Sequence, residues 1–447
     1  MSTENGPLYD PSLKLKLVQI VHRHGARTPV VPEIFKWFSP GTFLSSCALA
    51  PQLHERLLSK EQGDSLKGAS QSFPKHERPM PVHTLYKEEG GGLNETGHET
   101  SDGFKLLTAK RSPGECDMGQ LTDTGKRQLQ SLGQHLRDVY VARLGFLPEK
   151  LESPNTIHLA SSDMARTIES AQYLVAGLYP AGYCHPSANL RLHIRPHTSE
   201  FHYPNYPNCR KLRTLLDEFK TAQLPRVSPR LHELEKKFSR YLPEDSPIMS
   251  EGDAKVSHLD VYDASACLIA EGLPPITGMT ERSTESLGDE YAKMFFEPFG
   301  ATEQVMRLSM GRLLERIAVR IEQAARNPSG ARPDATKLAV WSGHDTTLGP
   351  LLVALRVFDG KWPQFANNLV FELFEQNPTP PSSFLSRSQS RHYVRLLYNQ
   401  NPLNLPYCAA PDQHHPSDPA MCTLEAFLEG VKAVRVTDSA WAKECGN

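Results

Sequence analysis

Nowhere in the 447 residues do about 18 apolar side chains run together, the length a helix needs to cross a bilayer. Stable membrane insertion is therefore not expected. Charge of one sign is also lacking: lysine and arginine total 49 against 51 acidic residues, a formal net charge of −2. That balance argues against the broad basic surface a nucleic acid needs, while leaving room for a local basic pocket. The eight cysteines are scattered and none falls in a CxxC pair, so a zinc site is not expected.

The opening residues, MSTENGPLYDPS, show neither a basic segment followed by an apolar one nor an excess of arginine. The expectation is a cytoplasmic chain, with a mitochondrial or secreted setting only if the sequence is trimmed. In a cytoplasmic protein the cysteines would mostly be free thiols. Should the compartment oxidise, Cys408 and Cys422 are the first pair to consider, because they flank one short loop. Asn94-Glu95-Thr96 is a glycosylation sequon, which matters only in a secreted chain.

What is present reads as an ordinary globular protein, 39% hydrophobic and 22% charged. Its length exceeds the usual size of one core. Leu13, Leu15, Leu17, Ile20 and Val21 make a short apolar run without helical period, a buried strand ending near His22. From Val30 to Met118 the chain is loop-rich. Gly90, Gly91 and Gly92 read as a loop tip, because no strand precedes them and no capped helix follows. An amphipathic helix then begins at Thr122, with Leu129, Leu132, Leu136 and Val139 stepping by threes and fours. TIHLASS is a second strand, and LRLHIRP a third. Between them DMARTIESAQYLVAGLYP is a helix opened by Asp163 and closed by Gly177 and Pro180.

Residues 205–330 are mostly helical, most clearly where Leu313, Ile317, Ile321 and Ala324 share a stripe. Strand character returns in TKLAVWSGHD, NLVFELFEQ and HYVRLLYN, the last two alternating, and TLEAFLEGVKAV closes the pattern as a helix. Strand–helix–strand order favours a parallel sheet. The expected fold is α/β: a three-layer core with a mainly parallel sheet plus an inserted helical cap. The core would comprise 13–30, 119–200 and 335–447, with a loop-rich insertion at 31–118 and a mainly helical cap insertion at 201–334.

Ligands of open α/β sheets sit outside the carboxyl ends of the strands. One predicted strand ends at HRHGAR and another at SGHD, while the helix after the second strand begins SSDMAR. Arg23, His24, Arg27, Arg166, His344 and Asp345 are thereby sent toward one edge. Three guanidiniums and two imidazoles around one carboxyl group suit a phosphate, whose oxygens match the guanidinium fork. Gly25 would let the backbone approach the ligand without a Cβ in the way. Cations around His24 would keep its imidazole neutral and nucleophilic. Asp345, protonated, would supply the departing oxygen with its proton. No metal or other cofactor is required, because the arginines take the charge-neutralising role.

RHGARTP, followed far downstream by GHDTTL, with GQLTDTG and SSDMARTIESA in order between them, resembles the acid-phosphatase branch of the histidine phosphatase superfamily. The resemblance implies that His24 is the nucleophile, that Arg23, Arg27, Arg166 and His344 bind the phosphate, and that Asp345 is the proton donor. It also implies a phosphoglycerate mutase-like core with a helical cap. FHYPNYPNCRKL, VFDGKWPQFANNLVFELFE and MCTLEAFL are similar to segments of lysophosphatidic acid phosphatase-like proteins. The reaction so implied is phosphomonoester hydrolysis at acidic pH, on lysophosphatidic acid or another small alkyl phosphate. The alternatives are a phytase, a sugar-phosphate phosphatase of the 2-phosphoxylose kind, a mutase, and a non-catalytic phosphate-binding module.

Other residues have blander readings. His22 alternates with His24 and is expected to be hydrogen-bonded beneath the pocket rather than paired on a metal. The stretch from Asp412 to Pro416 reads as a surface loop. The Tyr203 to Tyr206 segment would either line a substrate groove or make a rigid turn through Pro204 and Pro207.

Overall fold

The apolar run near the amino terminus forms strand β1, Leu13–Arg23. A computed structural model describes residues 9–31, 34, 47, 82–84, 86–87, 93–94, 116–180, 182–185, 188, 190–223, 236, 256–276, 278–327, 335–376 and 391–446. Within β1, Leu13, Leu15, Val18 and Ile20 enter one core cluster and Leu17 and Val21 the opposite one. Strand faces alternate residue by residue, so this switch from odd to even numbers needs an irregularity. Its pairing with strand Asn368–Gln376 (β8) contains one, a register shift between Leu15 and Leu17.

The remaining strands are β2 (Val82–Thr84), β3 (Tyr86–Lys87), β4 (Leu93–Asn94), β5 (Ile157–Ser161), β6 (Leu192–Ile194), β7 (Leu338–Gly343), β8 (Asn368–Gln376), β9 (His392–Tyr398), β10 (Asn401–Leu403), β11 (His414–His415) and β12 (Asp418–Thr423). The main sheet runs β11-β12-β9-β8-β1-β7-β5-β6-β2, with β10 beside β9. From β1 to β2 all neighbours are parallel; from β8 outward they are antiparallel. β3 and β4 pair separately. The Gly90–Gly92 loop tip and the Glu95 and Thr96 positions of the sequon lie outside the described residues.

Helices cover both faces, the α/β arrangement expected. Helices α1 (Asp123–Arg137) and α2 (Ala165–Leu178) put Leu129, Leu132, Ile168 and Leu174 against Val18, Leu159 and Val340. The other face carries helices from Glu303–Arg326, Asp345–Ala354 and Leu424–Lys432, whose Leu313, Ile317, Leu351 and Phe427 meet Val21, Trp341 and Phe371. Cover on both sides explains why Asn368 to Phe374 of β8 are all buried, where alternation was expected.

Three smaller expectations need correction. Helix α2 starts at Ala165 with Met164, not Asp163, in the capping position, and no side chain caps it. Gly177 does not close that helix. A Cβ there would collide with the Gln130 backbone, and one on Gly133 with the Leu174 backbone, so the two glycines set how closely α1 and α2 approach. Gly25 is likewise explained by packing: a Cβ there would collide with the backbone of Gly125 in α1.

Helices α3 (Arg210–Gln223), α4 (His258–Ala270) and α5 (Glu281–Phe296) gather around a third cluster that includes Leu212, Tyr262, Leu287, Tyr291 and Phe296. The long helix Glu303–Arg326, α6, packs most of its apolar stripe on the sheet. In chain order the last helices are α7 (Asp345–Ala354), α8 (Leu424–Lys432) and α9 (Asp438–Cys445).

The expectation of mostly free thiols is overturned. Disulfides join Cys47 to Cys116, Cys209 to Cys445 and Cys408 to Cys422, with Cα separations of 5.5, 4.6 and 5.4 Å. Cys184 and Cys267 are free. The Cys209–Cys445 bond ties the start of α3 to the end of α9 across 236 residues of sequence, a partnership no spacing rule could have found. Among the described residues no helix is long and apolar enough to cross a membrane.

Candidate active site

Strand register assembles the site. In the parallel ladder Arg23 of β1 lies opposite Gly343 of β7, and Ser161 of β5 opposite Ser342. One residue further on, His24 and His344 leave adjacent strand ends with ring centres 5.5 Å apart. The His24 amide donates to the Gly343 carbonyl (2.9 Å) and the Ser162 amide to the Ser342 carbonyl (3.2 Å), so the three segments leave the sheet stitched together.

His24 is buried, and its Nδ1 lies 2.8 Å from the Gly25 carbonyl oxygen. A carbonyl can only accept, so Nδ1 carries the proton and Nε2 keeps its lone pair. Burial, then the charges of Arg166, Arg23 and Arg27, push the His24 pKa well below the usual imidazole value. Both effects act in the direction expected from the sequence, against a second proton on the imidazole, and the Gly25 contact sets its tautomer.

Asp345 is the first residue of α7. Its Oδ2 lies 2.7 Å from Arg23 Nη2 and accepts from Trp362 Nε1 at 3.1 Å. Burial alone would raise this carboxyl, but Arg23, Arg27 and His344 outweigh it and hold the group below the ordinary carboxylate range. His344, at the same helix start, has its Nε2 2.8 Å from Ser162 Oγ. Ser162 Oγ is in turn 2.9 Å from Thr167 Oγ1.

The three arginines are held differently. Arg23 donates to the Pro363 carbonyl at 2.6 Å, and its guanidinium carbon sits 4.2 Å from the Phe365 ring centre. Arg27 makes a two-pronged pair with Asp263 of α4, at 2.8 and 3.0 Å. Arg166, one residue into α2, contacts Met164 Sδ at 3.0 Å; burial and the charge of Arg27 press its pKa down to about 10. All three share one feature: the Nε atoms of Arg23, Arg27 and Arg166 are buried donors without an acceptor among the described residues. Buried N–H groups are rarely left so, and three from one cluster of cations call for an anion.

All six residues expected at the site therefore meet at the carboxyl ends of β1, β5 and β7. The residues around them sort as follows. His22 lies buried beneath, its Nδ1 3.0 Å from the Arg23 carbonyl, and burial lowers its pKa to about 4. Tyr203 reaches the site edge, its ring 5.6 Å from His344, so the tyrosine segment is both a wall and a proline-bounded turn. His414 and His415 of β11 are engaged locally, at Cys408 O (2.9 Å) and Ser417 Oγ (2.8 Å).

A family model for the histidine phosphatase superfamily, branch 2, matches residues 14–399, a span that contains all six of the expected site residues. The chain belongs to that superfamily. A probable acid phosphatase of Schizosaccharomyces pombe is 26% identical over 96% of this chain and 93% of its own. Human lysophosphatidic acid phosphatase type 6 is 27% identical over 97% of this chain and 86% of its own. Among solved structures, the Hafnia alvei phytase in complex with tartrate overlays with a TM-score of 0.57 at 15% identity, covering 97% of this chain and all 100% of that one, a likeness of fold. As a member of a family of phosphatases, the chain is an enzyme.

In this histidine phosphatase the residues that sequence reasoning missed come from loops and the helical insertion. Trp362 and Phe365 lie in a stretch similar to lysophosphatidic acid phosphatase-like proteins, but nothing in the sequence distinguishes their roles. Asp263 had no signal at all: it is one acid among many in a helix remote in sequence from Arg27. Asp263→Asn replaces an anion by an amide whose NH2 faces the guanidinium. With a charge-assisted pair worth about 1.5–3 kcal/mol, part of which a bound anion restores, we expect KM and the inhibition constant of inorganic phosphate to rise about tenfold, with kcat changed less. Steady-state kinetics with phosphate as product inhibitor checks this; unchanged constants would remove Asp263 from the positioning of Arg27.

Proposed function

We propose that this phosphatase hydrolyses small alkyl phosphomonoesters, lysophosphatidic acid foremost, through a phosphohistidine on His24. The observation that carries the chemistry is the His24 tautomer, with Nδ1 donating to the Gly25 carbonyl at 2.8 Å and the Nε2 lone pair left to attack. In the first step Nε2 bonds to phosphorus and the ester P–O bond breaks. Asp345 gives its proton to the leaving alkoxide. In the second step water attacks the phosphohistidine, Asp345 takes a proton from that water, and the N–P bond breaks to release phosphate.

Arg23, Arg27, Arg166 and His344 would bind the phosphate. Arg23 has a double task. In the free site it holds Asp345 at 2.7 Å as a carboxylate. A phosphate dianion competing for that guanidinium would raise the Asp345 pKa and allow it to arrive protonated. Acidic pH should therefore favour turnover. No metal enters this scheme, because the guanidiniums neutralise the charge.

Support for an alkyl substrate is of two kinds. The human relative, lysophosphatidic acid phosphatase type 6, aligns with nearly the whole chain. Three of the side chains around the phosphate residues are also aromatic: Phe365 lies on Arg23, Trp362 on Asp345 and Tyr203 against His344. Such walls suit an apolar tail better than a substrate bearing many phosphates. We assign the choice of substrate to the two insertions, 31–118 and the mainly helical 201–334, of a core of 13–30, 119–200 and 335–447. Three disulfides favour an oxidising compartment over the cytoplasmic one expected from the sequence.

A substrate panel from pH 4 to 8 with chelator present tests this reading. Lysophosphatidic acid should show the highest kcat/KM, above a sugar phosphate and inositol hexakisphosphate. Preference for either of the latter would overturn the substrate; activity lost to chelator and restored by zinc would overturn the mechanism.

A further inference from the structure

A cavity of about 480 Å³, apart from the phosphate site, opens on the sheet face that α6 covers. None of the six phosphate-site residues lines it. Its walls come from His158 of β5, His193 of β6, Phe201, Trp341 of β7, and Arg316 and Arg320 of α6. That volume lies in the range of small-molecule sites.

Its charges do not cancel. Arg316 pairs with Asp438 at 2.6 Å and Arg195 shares the same carboxylate at 3.3 Å. Glu315, the other acid in the wall, is taken by Arg435 at 2.5 Å. Arg320 is left. It has no ion pair or hydrogen bond among the described residues, and its guanidinium carbon stands 5.5 Å from the Trp341 ring centre. The charge felt most by Arg320 is the like one of Arg316. Beside it His158 stacks on His193, centres 4.9 Å apart and planes 21° from parallel, and meets Trp341 edge-on at 5.3 Å. Burial and Arg320 keep His158 neutral, its pKa well below the usual value.

We propose that this cavity is a binding site for a flat organic monoanion, its carboxylate or sulfonate on Arg320 and its ring among Trp341, Phe201 and the stacked histidines. Among the guanidiniums of the wall, Arg320 is the one with no carboxylate against it among the described residues, so a ligand's single carboxylate or sulfonate suits it. Aromatic walls reward a planar body by stacking and area burial. A free phosphate ion would leave those walls unused, so the site is chemically distinct from the one at His24.

The test uses the intact protein with its catalytic site saturated by inorganic phosphate. Naphthalene-1-carboxylate is titrated calorimetrically, and the uncharged naphthalene-1-carboxamide serves as its matched probe. One equivalent of the carboxylate should bind whether or not phosphate is present, and the carboxamide at least tenfold more weakly. Arg320→Met should weaken carboxylate binding at least tenfold while leaving phosphatase activity unchanged. The proposal is overturned if the carboxylate fails to bind at millimolar concentration, if phosphate displaces it, or if the carboxamide binds equally well. The two probes on unsubstituted protein keep the test decisive even if Arg320→Met does not fold. Phosphatase activity measured alongside separates failure here from failure of the assignment of His24.

Discussion

His24→Ala should abolish phosphate release, by more than about 10⁴-fold, as loss of a catalytic nucleophile does elsewhere. It should also abolish trapping of labelled phosphate on the protein. The trapping experiment needs an alkaline quench, because a phosphoramidate bond at histidine breaks in acid. Two histidines share the pocket, and their bonding separates them. His344 Nε2 is occupied by Ser162 Oγ at 2.8 Å. His24 has only its Nδ1 engaged, by a carbonyl at 2.8 Å that fixes the proton there, so the lone pair on Nε2 is free of competition. The substitution removes a side chain with one hydrogen bond and leaves Arg23, Arg27 and Arg166 in place, so phosphate binding should largely survive. Label retained on the variant, or turnover within a factor of ten of the unsubstituted enzyme, would move the covalent step to another residue.

The second large effect is expected from Asp345→Asn, and it should depend on the leaving group. An alkoxide needs a proton as it departs, and losing the donor costs about 10² to 10⁴ in rate. p-Nitrophenoxide hardly needs one, so the same substitution should lower kcat for p-nitrophenyl phosphate by about tenfold or less. Comparing the two substrates matters because Asp345 also pairs with Arg23 at 2.7 Å and accepts from Trp362 at 3.1 Å. Asparagine disturbs both contacts whatever the substrate, and only the ratio isolates proton donation.

The pH profile gives an independent reading of the same group. In the free site Arg23, Arg27 and His344 override burial and hold the carboxyl below its usual range. Above that value the free carboxyl is ionised. In the complex its pKa should rise, because the phosphate dianion would draw on the same arginines. For an alkyl phosphate kcat should then fall as pH rises through the pKa of the complex, and Asp345→Asn should erase that limb. Equal losses on both substrates with the limb intact would dismiss Asp345 as the donor.

Much of the fold was open to inspection along the chain because its signals are local. Thr122 caps α1, and Leu129, Leu132 and Leu136 are its buried stripe because a 3.6-residue period puts them on one face. The ends of β1 and β7 could be found because an apolar run stops at charged residues on both. The helix after β7 was harder: GHDTTLGPLLVA contains Pro350 and lacks an amphipathic period, since α7 is buried nearly all round. β8 misled for the same reason, its apparent alternation lying between two covered faces.

By itself the sequence determined which chemistry was possible: Arg23, His24 and Arg27 on one segment, His344 and Asp345 on another, all where strands stop. Those are covalent facts, set by order along the chain and by local period. Only the tertiary structure decided that Arg23 lies opposite Gly343, that Asp263 grips Arg27 from a helix 236 residues away in sequence, that Gly25 is small for the sake of Gly125, and that Cys209 finds Cys445. Each of these depends on which distant surfaces close on one another to exclude water. Burial of that kind is a property of the whole packed chain, and no single segment carries it.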